Sequence, residues 1–373
     1  MDNAATTKIK DKVFEAMLPY LKEFYGNASS IYSLGQKSKA AIENSRAIIA
    51  QALGAKANEI YFTSGGTESD NWAIKGSVKS NKKNHIVTST IEHEAILKSC
   101  KYLESFGTRV DYISVDKEGF VNLEELNEKL SKDTNLVSIM YANNEVGTIE
   151  PIDEIAKICE NKGVPLHVDA VQAIGTIPIN LSKGHITMMS FSGHKIGGPK
   201  GVGILYIKEG YEISSFLHGG EQERRKRAST ENVASIVGLG VAVEDAIKNL
   251  EERKEYTEKL RDYFLDKLLT LPGVRLNGPM ENRLATNINL SFDNLKEQVL
   301  LPYLDFHGIC ASQGSACTAG SLNPSHVLLA MGKKNKQANN PLRLTINYNN
   351  TEEEADYVFE VLKEAINKFK VVI

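Results

Sequence analysis

Apolar residues recur at helical spacing near the start of the chain and in short β-rich segments after it. The apolar face of the first helical run is formed by Val13, Met17, Leu21 and Phe24. A second helical run spans residues 41–49. Seven short β-rich segments follow, mostly separated by helix-like stretches: 59–63, 85–88, 109–114, 136–141, 165–169, 188–191 and 202–207. This alternation predicts an α/β fold with a mainly parallel seven-stranded sheet flanked by helices on both faces.

The pattern changes in the last third of the chain. From residue 232 a long charged amphipathic helix is predicted as far as residue 271, and strands near 283–292 and 342–346 mix there with two or three helices. We therefore expect a smaller α+β domain that closes over the ligand site of the large one.

The composition is that of an ordinary globular protein, and the charge favours a small-molecule substrate. The 373 residues are 42% hydrophobic and 24% charged, and the net charge of −3 creates no field that attracts nucleic acid or an acidic membrane surface. Four scattered cysteines form no CxxC pair, which argues against a metal site and fits a reducing compartment. The sequence shows neither a basic stretch with an apolar core at its start nor an apolar run of membrane-spanning length. We expect a cytoplasmic protein that contacts neither nucleic acid nor membrane directly.

Ligands of such sheets bind beyond the carboxyl ends of the strands, so the residues that follow each strand are the candidates for chemistry. The segment TSGGTESDN, residues 63–71, stands where a strand meets a helix, and its glycines let backbone N–H groups approach an anion at the helix N-terminus. Thr67 adds a hydroxyl donor. The segment favours a phosphate cup, although a plain strand-to-helix turn has the same composition.

Asp169 and Lys195 each follow a predicted strand. Asp169 ends an apolar strand in HVDAVQ, where a carboxylate needs a protonated pyridine nitrogen, a salt bridge or a helix cap as its partner. Lys195 lies in SGHKIGGPKG between an apolar strand and glycines, with Ser192 and His194 beside it. Most lysines are solvated surface charges, but this setting suits an aldehyde cofactor held as a Schiff base.

Three more polar residues are candidates for the same site. His93 in IEHEA can stack on an aromatic ring and relay protons, although a lone histidine is more often structural. Asn144 in YANNEVG offers an amide at the same edge of the sheet. Arg343 in LRLTI is a candidate bidentate partner for a substrate carboxylate, with a surface salt bridge as the alternative.

Cys317 differs from the other cysteines because it lies in GSACTAG, residues 314–320, a run of small residues that suits a mobile loop. Cys100 and Cys159 are interpreted as buried hydrophobic residues. A deprotonated thiol on such a loop is a nucleophile, and together with a lysine-bound aldehyde it indicates sulfur transfer. The basic cluster at 224–227 is short and surrounded by acids, so we interpret most of it as a solvated loop.

The ordered set of these motifs resembles the cysteine desulfurases of the NifS/IscS type, which are pyridoxal-phosphate enzymes of class V of the aminotransferases with the aspartate-aminotransferase fold. The likeness spans almost the whole chain in the family's order: DNAATT, TSGGTESDN, IEHEA, NNE, HVDAVQ, SGHKIGGPKG, RASTEN, GSACT and LRLTI. One such string is a weak signal, whereas the ordered set is specific. The resemblance implies a large cofactor-binding domain at residues 16–260 and a small domain, which carries the cysteine loop, at 1–15 plus 261–373.

The resemblance also implies which residues bind pyridoxal 5′-phosphate: Gly66, Thr67, His93, Asn144, Asp169, Gln172, Ser192, His194 and Lys195, with Thr230 reaching the phosphate from the neighbouring subunit of a homodimer. Lys195 would bind the cofactor aldehyde, Asp169 the pyridinium nitrogen and Gln172 the ring oxygen. His93 would stack on the ring and act in acid–base steps.

For the reaction, the resemblance implies that L-cysteine is converted to L-alanine. Arg343 would bind the substrate carboxylate, helped by Asn144, and Cys317 would take the sulfur as a persulfide. The sulfur would then pass to an acceptor protein, such as an iron–sulfur scaffold or a tRNA-thiolation protein.

The sequence departs from the family pattern at three positions: Ser229 replaces a glycine, and Asn339 and Pro341 replace a histidine and a serine ahead of Arg343. These departures concern the subunit interface and the choice of partner. Two enzyme alternatives on the same fold are a selenocysteine lyase and a small aminotransferase, the second of which has no need for Cys317. A silent cofactor-binding scaffold is a further alternative, against which the intact site residues argue.

Overall fold

The computed structural model describes residues 1–78, 84–293, 295–296, 298–314, 324–333 and 341–370, and its largest element is a seven-stranded sheet. The strands are β1 (Ile60–Thr63), β2 (His85–Ser89), β3 (Arg109–Ile113), β4 (Thr134–Met140), β5 (Leu166–Asp169), β6 (Met188–Ser192) and β7 (Gly203–Ile207). Their order across the sheet is β1-β7-β6-β5-β4-β2-β3, and β7 alone runs antiparallel to its neighbours. The predicted α/β fold is therefore confirmed, and each predicted segment overlaps one of these strands.

The helices of the described residues are α1 (Asp11–Lys22), α2 (Ser33–Leu53), α3 (Gly66–Gly76), α4 (Glu94–Glu104), α5 (Leu123–Lys129), α6 (Ile152–Lys162), the single turn α7 (Gln222–Arg225), α8 (Val233–Lys248), α9 (Leu250–Leu268), α10 (Leu300–Phe306), α11 (His326–Ala330) and α12 (Glu352–Phe369). None of them, in this part of the chain, has the length and apolar composition needed to span a membrane.

Both faces of the large sheet are covered, because successive residues of a strand enter different apolar clusters. Val87, Met189 and Phe191 belong to a cluster that contains residues of α2, α6 and α8. Ile86 and Met188, one residue earlier in their strands, belong to a second cluster with residues of α3 and α4. Burial on both faces explains why these strands are continuously apolar in sequence.

A separate three-stranded antiparallel sheet lies in the last third of the chain. Its strands are β8 (Val274–Leu276), β9 (Asn287–Phe292) and β10 (Leu342–Thr345), in the order β10-β9-β8. Strands β9 and β10 confirm the prediction, whereas β8 is too short to give a sequence pattern. This sheet packs with α9, α10 and α12 around an apolar core of its own. The N-terminus joins it, since Asp2 forms a parallel bridge with Thr345.

The single long helix predicted from residue 232 to residue 271 is wrong. The structure has two helices, α8 and α9, with Asn249 in a non-helical conformation between them (φ −109°, ψ 19°). The Asn249 side chain donates to the backbone oxygen of Asp245 at 3.0 Å and to its carboxylate at 3.1 Å, which competes with continuation of the helix. Helix α8 is also largely buried and apolar, so the charged pattern belongs to α9 alone.

A buried carboxyl group beside the large sheet gives the stability of the fold a pH dependence. Glu150 is 2% exposed, and its Oε2 accepts a hydrogen bond from the Val121 N–H at 3.0 Å. Its Oε1 has no hydrogen-bond partner among the described residues. Burial raises the pKa of Glu150 from 4.5 to about 8, so the folded protein keeps a proton that the unfolded chain releases.

We expect Glu150→Gln to remove this pH dependence. In the wild type, the contribution of Glu150 to the free energy of unfolding is fully present below pH 4.5. It is lost as the pH rises toward 8, because in that range Glu150 ionises only in the unfolded state. The neutral amide still accepts from Val121, so the variant should be more stable than wild type near pH 8 by on the order of 2 kcal/mol. Urea unfolding near pH 5 and near pH 8 measures this, with the exposed Glu124→Gln as control. Parallel pH profiles for wild type and Glu150→Gln would contradict it.

Candidate functional site

A cavity of about 160 Å³ opens at the carboxyl edge of the large sheet, where the sequence places its candidate residues. Most of the predicted site residues line it: Gly66, Thr67, His93, Asn144, Asp169, Gln172, Ser192, His194, Lys195 and Arg343. They come from the ends of β4, β5 and β6, from the starts of α3 and α4 and from β10 of the small sheet. Residues scattered over most of the chain therefore meet at one place.

Lys195 lies on the tight turn that follows β6, and the N-terminal segment lies against it. Its Nζ donates to the backbone oxygens of Ala4 and of Ala5, the second at 3.0 Å. The Thr7 N–H and hydroxyl both donate to the backbone oxygen of His194, at 2.9 and 2.8 Å. Gly197 permits the turn because its φ of +80° is strained for other residues. The amine is thus held at the cavity wall by backbone acceptors.

Asp169 supplies a buried carboxyl group to the site. It ends β5, is 5% exposed, and its Oδ1 accepts from the Val171 N–H at 2.9 Å. Burial raises the pKa of Asp169, while the nearby His93 and Lys195 lower it. A cation bound against Asp169 would favour its ionised form, as a protonated ring nitrogen does.

His93 caps the N-terminus of α4 with its ring. The Ala95 N–H donates to Nδ1 at 3.1 Å, so the neutral ring carries its proton on Nε2. Burial lowers the pKa of His93, and the positive charge of Lys195 lowers it further against the opposing effect of Asp169. The ring is neutral near pH 7 and offers an N–H donor at Nε2.

The turn between β1 and α3 has the features of an anion cup. Gly65 has a φ of +153°, and a Cβ at Gly66 would lie 2.7 Å from the Val171 side chain, so both positions favour glycine. Helix α3 directs its first N–H groups at the cavity edge, next to Ser192. Burial, with the charges of two lysines, lowers the pKa of His194 to about 4, so His194 is a neutral neighbour of the cup.

Arg343 is buried and does not form the surface salt bridge that its sequence leaves open. Its side chain is 1% exposed; Nη1 donates to the Asn144 backbone oxygen and Nη2 to Asp2 Oδ1, each at 3.0 Å. Ser312 Oγ also donates to the Asp2 carboxylate, at 2.7 Å. The buried Arg343 Nε has no hydrogen-bond partner among the described residues. Because Arg343 also lines the cavity, its Nε is the guanidinium group left for a carboxylate there.

Among the described residues, Thr230 is the one predicted site residue that does not line this cavity. Thr230 is exposed on the surface of the chain. Cys317 lies outside the described residues, so its predicted role remains a prediction. Gly314, which precedes it, and Ser325, which follows it, both lie near the Glu145 carboxylate, to which Ser325 Oγ donates at 2.6 Å.

Sequence reasoning missed two buried carboxyl groups beside the cavity. Asp70 lines it and is 1% exposed, and Glu92 is fully buried with its Oε1 accepting from Ser89 Oγ at 2.5 Å. Burial raises the pKa of both, as does the charge of Asp169. Asp70 stands four residues after Gly66, on the same side of α3, and that spacing was the available signal. Within the described residues, no group of His, Cys, Asp or Glu side chains is arranged to hold a metal ion.

Comparison with known proteins agrees with this geometry. Residues 1–358 match the class-V aminotransferase family. A cysteine desulfurase IscS of Methanosarcina thermophila is 51% identical over 372 residues, covering 99% of this chain and 92% of that protein, and one of Clostridium botulinum is 50% identical over 373 residues, covering 99% and 94%. The solved structure of a NifS-like protein matches with a TM-score of 0.93 at 40% identity over 99% of each chain. SspA in complex with cysteine matches with a TM-score of 0.82 at 34% identity, over 92% of this chain and 97% of that one.

The chain belongs to the class-V aminotransferases, and Lys195 in the turn after β6 and the buried Asp169 at the end of β5 agree with that family. Within it, the chain belongs to the cysteine desulfurases of the NifS/IscS type. The resemblance seen in the sequence is thereby confirmed.

Proposed function

We propose that this protein is a pyridoxal-phosphate-dependent cysteine desulfurase that converts L-cysteine to L-alanine and transfers the sulfur to Cys317. The observation that carries the proposal is the meeting of an amine, a buried carboxylate and a buried guanidinium, those of Lys195, Asp169 and Arg343, at one cavity. These three groups match an aldehyde, a ring nitrogen and a substrate carboxylate, respectively.

The residues present fit pyridoxal phosphate. The Asp169 carboxyl group is buried at the cavity, where a bound cation favours its ionised form, and the glycine turn before α3 provides N–H donors for a phosphate. The phosphate would be held by Gly66, Thr67, Ser192 and His194, and the ring by His93, Asn144, Asp169 and Gln172. When bound, the cofactor supplies an electron-withdrawing ring that weakens the bonds at the substrate α-carbon and its C–S bond.

The chain's own residues position the reactants. Lys195 Nζ, held by the Ala4 and Ala5 oxygens, offers the amine that takes the aldehyde. Arg343 orients the substrate through its carboxylate, and His93 holds a proton at Nε2 beside the cavity. The Cys317 thiolate attacks the substrate sulfur, and the sum is L-cysteine plus one thiol giving L-alanine plus one persulfide.

We also propose the assembly and setting of the enzyme. Thr230 is exposed and does not line the cavity of its own subunit. This supports a homodimer in which Thr230 contacts the phosphate of the cofactor bound in the partner subunit. The separate apolar cores of the two sheets support two domains. We place one at residues 16–260 and the other at 1–15 plus 261–373, with Val13 and Leu260 packing across these bounds. The protein acts in the cytoplasm, and an acceptor protein of iron–sulfur assembly or tRNA thiolation receives the sulfur.

The proposal predicts the products of the purified protein. With pyridoxal phosphate, L-cysteine and a thiol reductant, it should form L-alanine and sulfide in equal amounts, because each turnover moves one sulfur atom. Chromatographic alanine and colorimetric sulfide measure this. Transamination of L-alanine to pyruvate at a comparable rate, with no sulfide from L-cysteine, would show an aminotransferase instead.

A further inference from the structure

An ion pair lies directly behind the phosphate cup. Glu68, in the first turn of α3, accepts from Arg227 Nε at 2.7 Å and from Arg227 Nη2 at 2.9 Å, one on each carboxylate oxygen. The two side chains are only 9% and 14% exposed. This is the bidentate geometry in which arginine binds a carboxylate most strongly. Neither residue lines the cavity, and the mechanism above uses neither.

The same carboxylate shapes the cup. Glu68 Oε2 also accepts from the Ser64 backbone N–H at 2.7 Å, which closes the turn that leads into Gly65 and Gly66. The Ser64 N–H is therefore directed at Glu68, while the N–H groups at the start of α3 are left for an anion. Arg227 and the Ser64 N–H hold the pKa of Glu68 low despite burial, so the carboxylate is ionised.

The position of Arg227 is itself fixed by the backbone. Arg227 forms a parallel bridge with Leu217, and the Ala228 N–H donates to the Leu217 oxygen at 3.1 Å. Ser229 follows with a φ of +114°, a strained conformation for a non-glycine residue. The guanidinium is thus presented to α3 by a constrained segment rather than by a free loop.

An ionised carboxylate one residue after Thr67 repels a phosphate at the same helix N-terminus unless a cation neutralises it. We propose that Arg227 and Glu68 are positioning residues for the phosphate of the cofactor: Glu68 closes the turn, and Arg227 cancels its charge toward the phosphate. The inference rests on the proposed function, because it takes the ligand to be a phosphorylated aldehyde.

The experiment compares pyridoxal phosphate with pyridoxal, which has the aldehyde and no phosphate. Full-length protein freed of cofactor is titrated with each compound and followed by absorbance. Arg227→Gln should weaken pyridoxal phosphate about tenfold or more and leave pyridoxal unchanged, because the uncompensated carboxylate repels the phosphate alone. Adding Glu68→Gln to Arg227→Gln should restore most of the affinity, since no charge is then left unpaired. Arg225→Gln, which removes an exposed ion pair with Glu221, is the matched control.

A purely structural pair gives a different pattern. If Arg227→Gln weakens both compounds equally, or if the double variant is weaker than Arg227→Gln, the inference is wrong. Arg227→Lys keeps the positive charge but not the bidentate contact with Glu68, so it should bind pyridoxal phosphate more tightly than Arg227→Gln. If Arg227→Gln does not fold, Arg227→Lys is compared with the wild type instead. Failure of the wild type to bind pyridoxal phosphate would instead refute the proposed function, which separates the two results.

Discussion

Replacing Cys317 by alanine is expected to lower the rate of L-alanine formation from L-cysteine by at least about 10³-fold. The proposed reaction needs a thiolate to take the sulfur, and alanine supplies none. Cofactor binding should be unchanged, because every described residue of the cavity is intact. The measurements are alanine formation and the visible absorbance of the bound cofactor.

The chain offers a matched control for this substitution in Cys310, an exposed free thiol seven residues earlier. Cys310→Ala should retain the wild-type rate. A Cys317→Ala protein that forms alanine and sulfide as fast as wild type would rule out the persulfide route through this residue. Loss of activity in Cys310→Ala but not in Cys317→Ala would show that Cys310 is the nucleophile.

The second large effect is expected at Lys195. Lys195→Ala removes the amine that lies between the Ala4 and Ala5 oxygens and the cavity, so the aldehyde has no covalent partner there. We expect at least about a 10⁴-fold loss of activity. Borohydride reduction of the wild-type complex should fix the cofactor to the peptide containing Lys195, and no such adduct should form in the variant.

Lys200 is the control for Lys195, since it stands on the same glycine-rich stretch and is exposed. Lys200→Ala should keep both the adduct and the activity. An undiminished borohydride adduct in Lys195→Ala, on any other lysine, would show that the cofactor is held elsewhere. The assignment of Asp169 and His93 would then lose its basis as well.

Much of the fold is predictable because burial on two faces gives the strands a continuous apolar pattern. Strands such as β6 and β7, buried along their whole length, follow this rule. The break between α8 and α9 is not predictable in the same way. It depends on the Asn249 side chain bonding to Asp245, and periodicity carries no information about that contact.

The same contrast holds at the site. Lys195 and Asp169 are predictable because polar residues at the ends of buried strands are costly without a partner. The acceptors of the Lys195 amine are backbone oxygens of Ala4 and Ala5, which no side-chain pattern reveals. The burial of Asp70 likewise depends on tertiary packing of α3 against the sheet.

The most direct test of sulfur transfer is the mass of the peptide that contains Cys317 after one equivalent of L-cysteine is added to the cofactor-loaded enzyme without reductant. We expect this peptide to gain one sulfur atom in proportion to the L-alanine formed, and alkylation to trap it as a persulfide. If L-alanine forms while the Cys317 peptide stays unmodified, with the sulfur released as sulfide or found on another cysteine, Cys317 is not the sulfur acceptor.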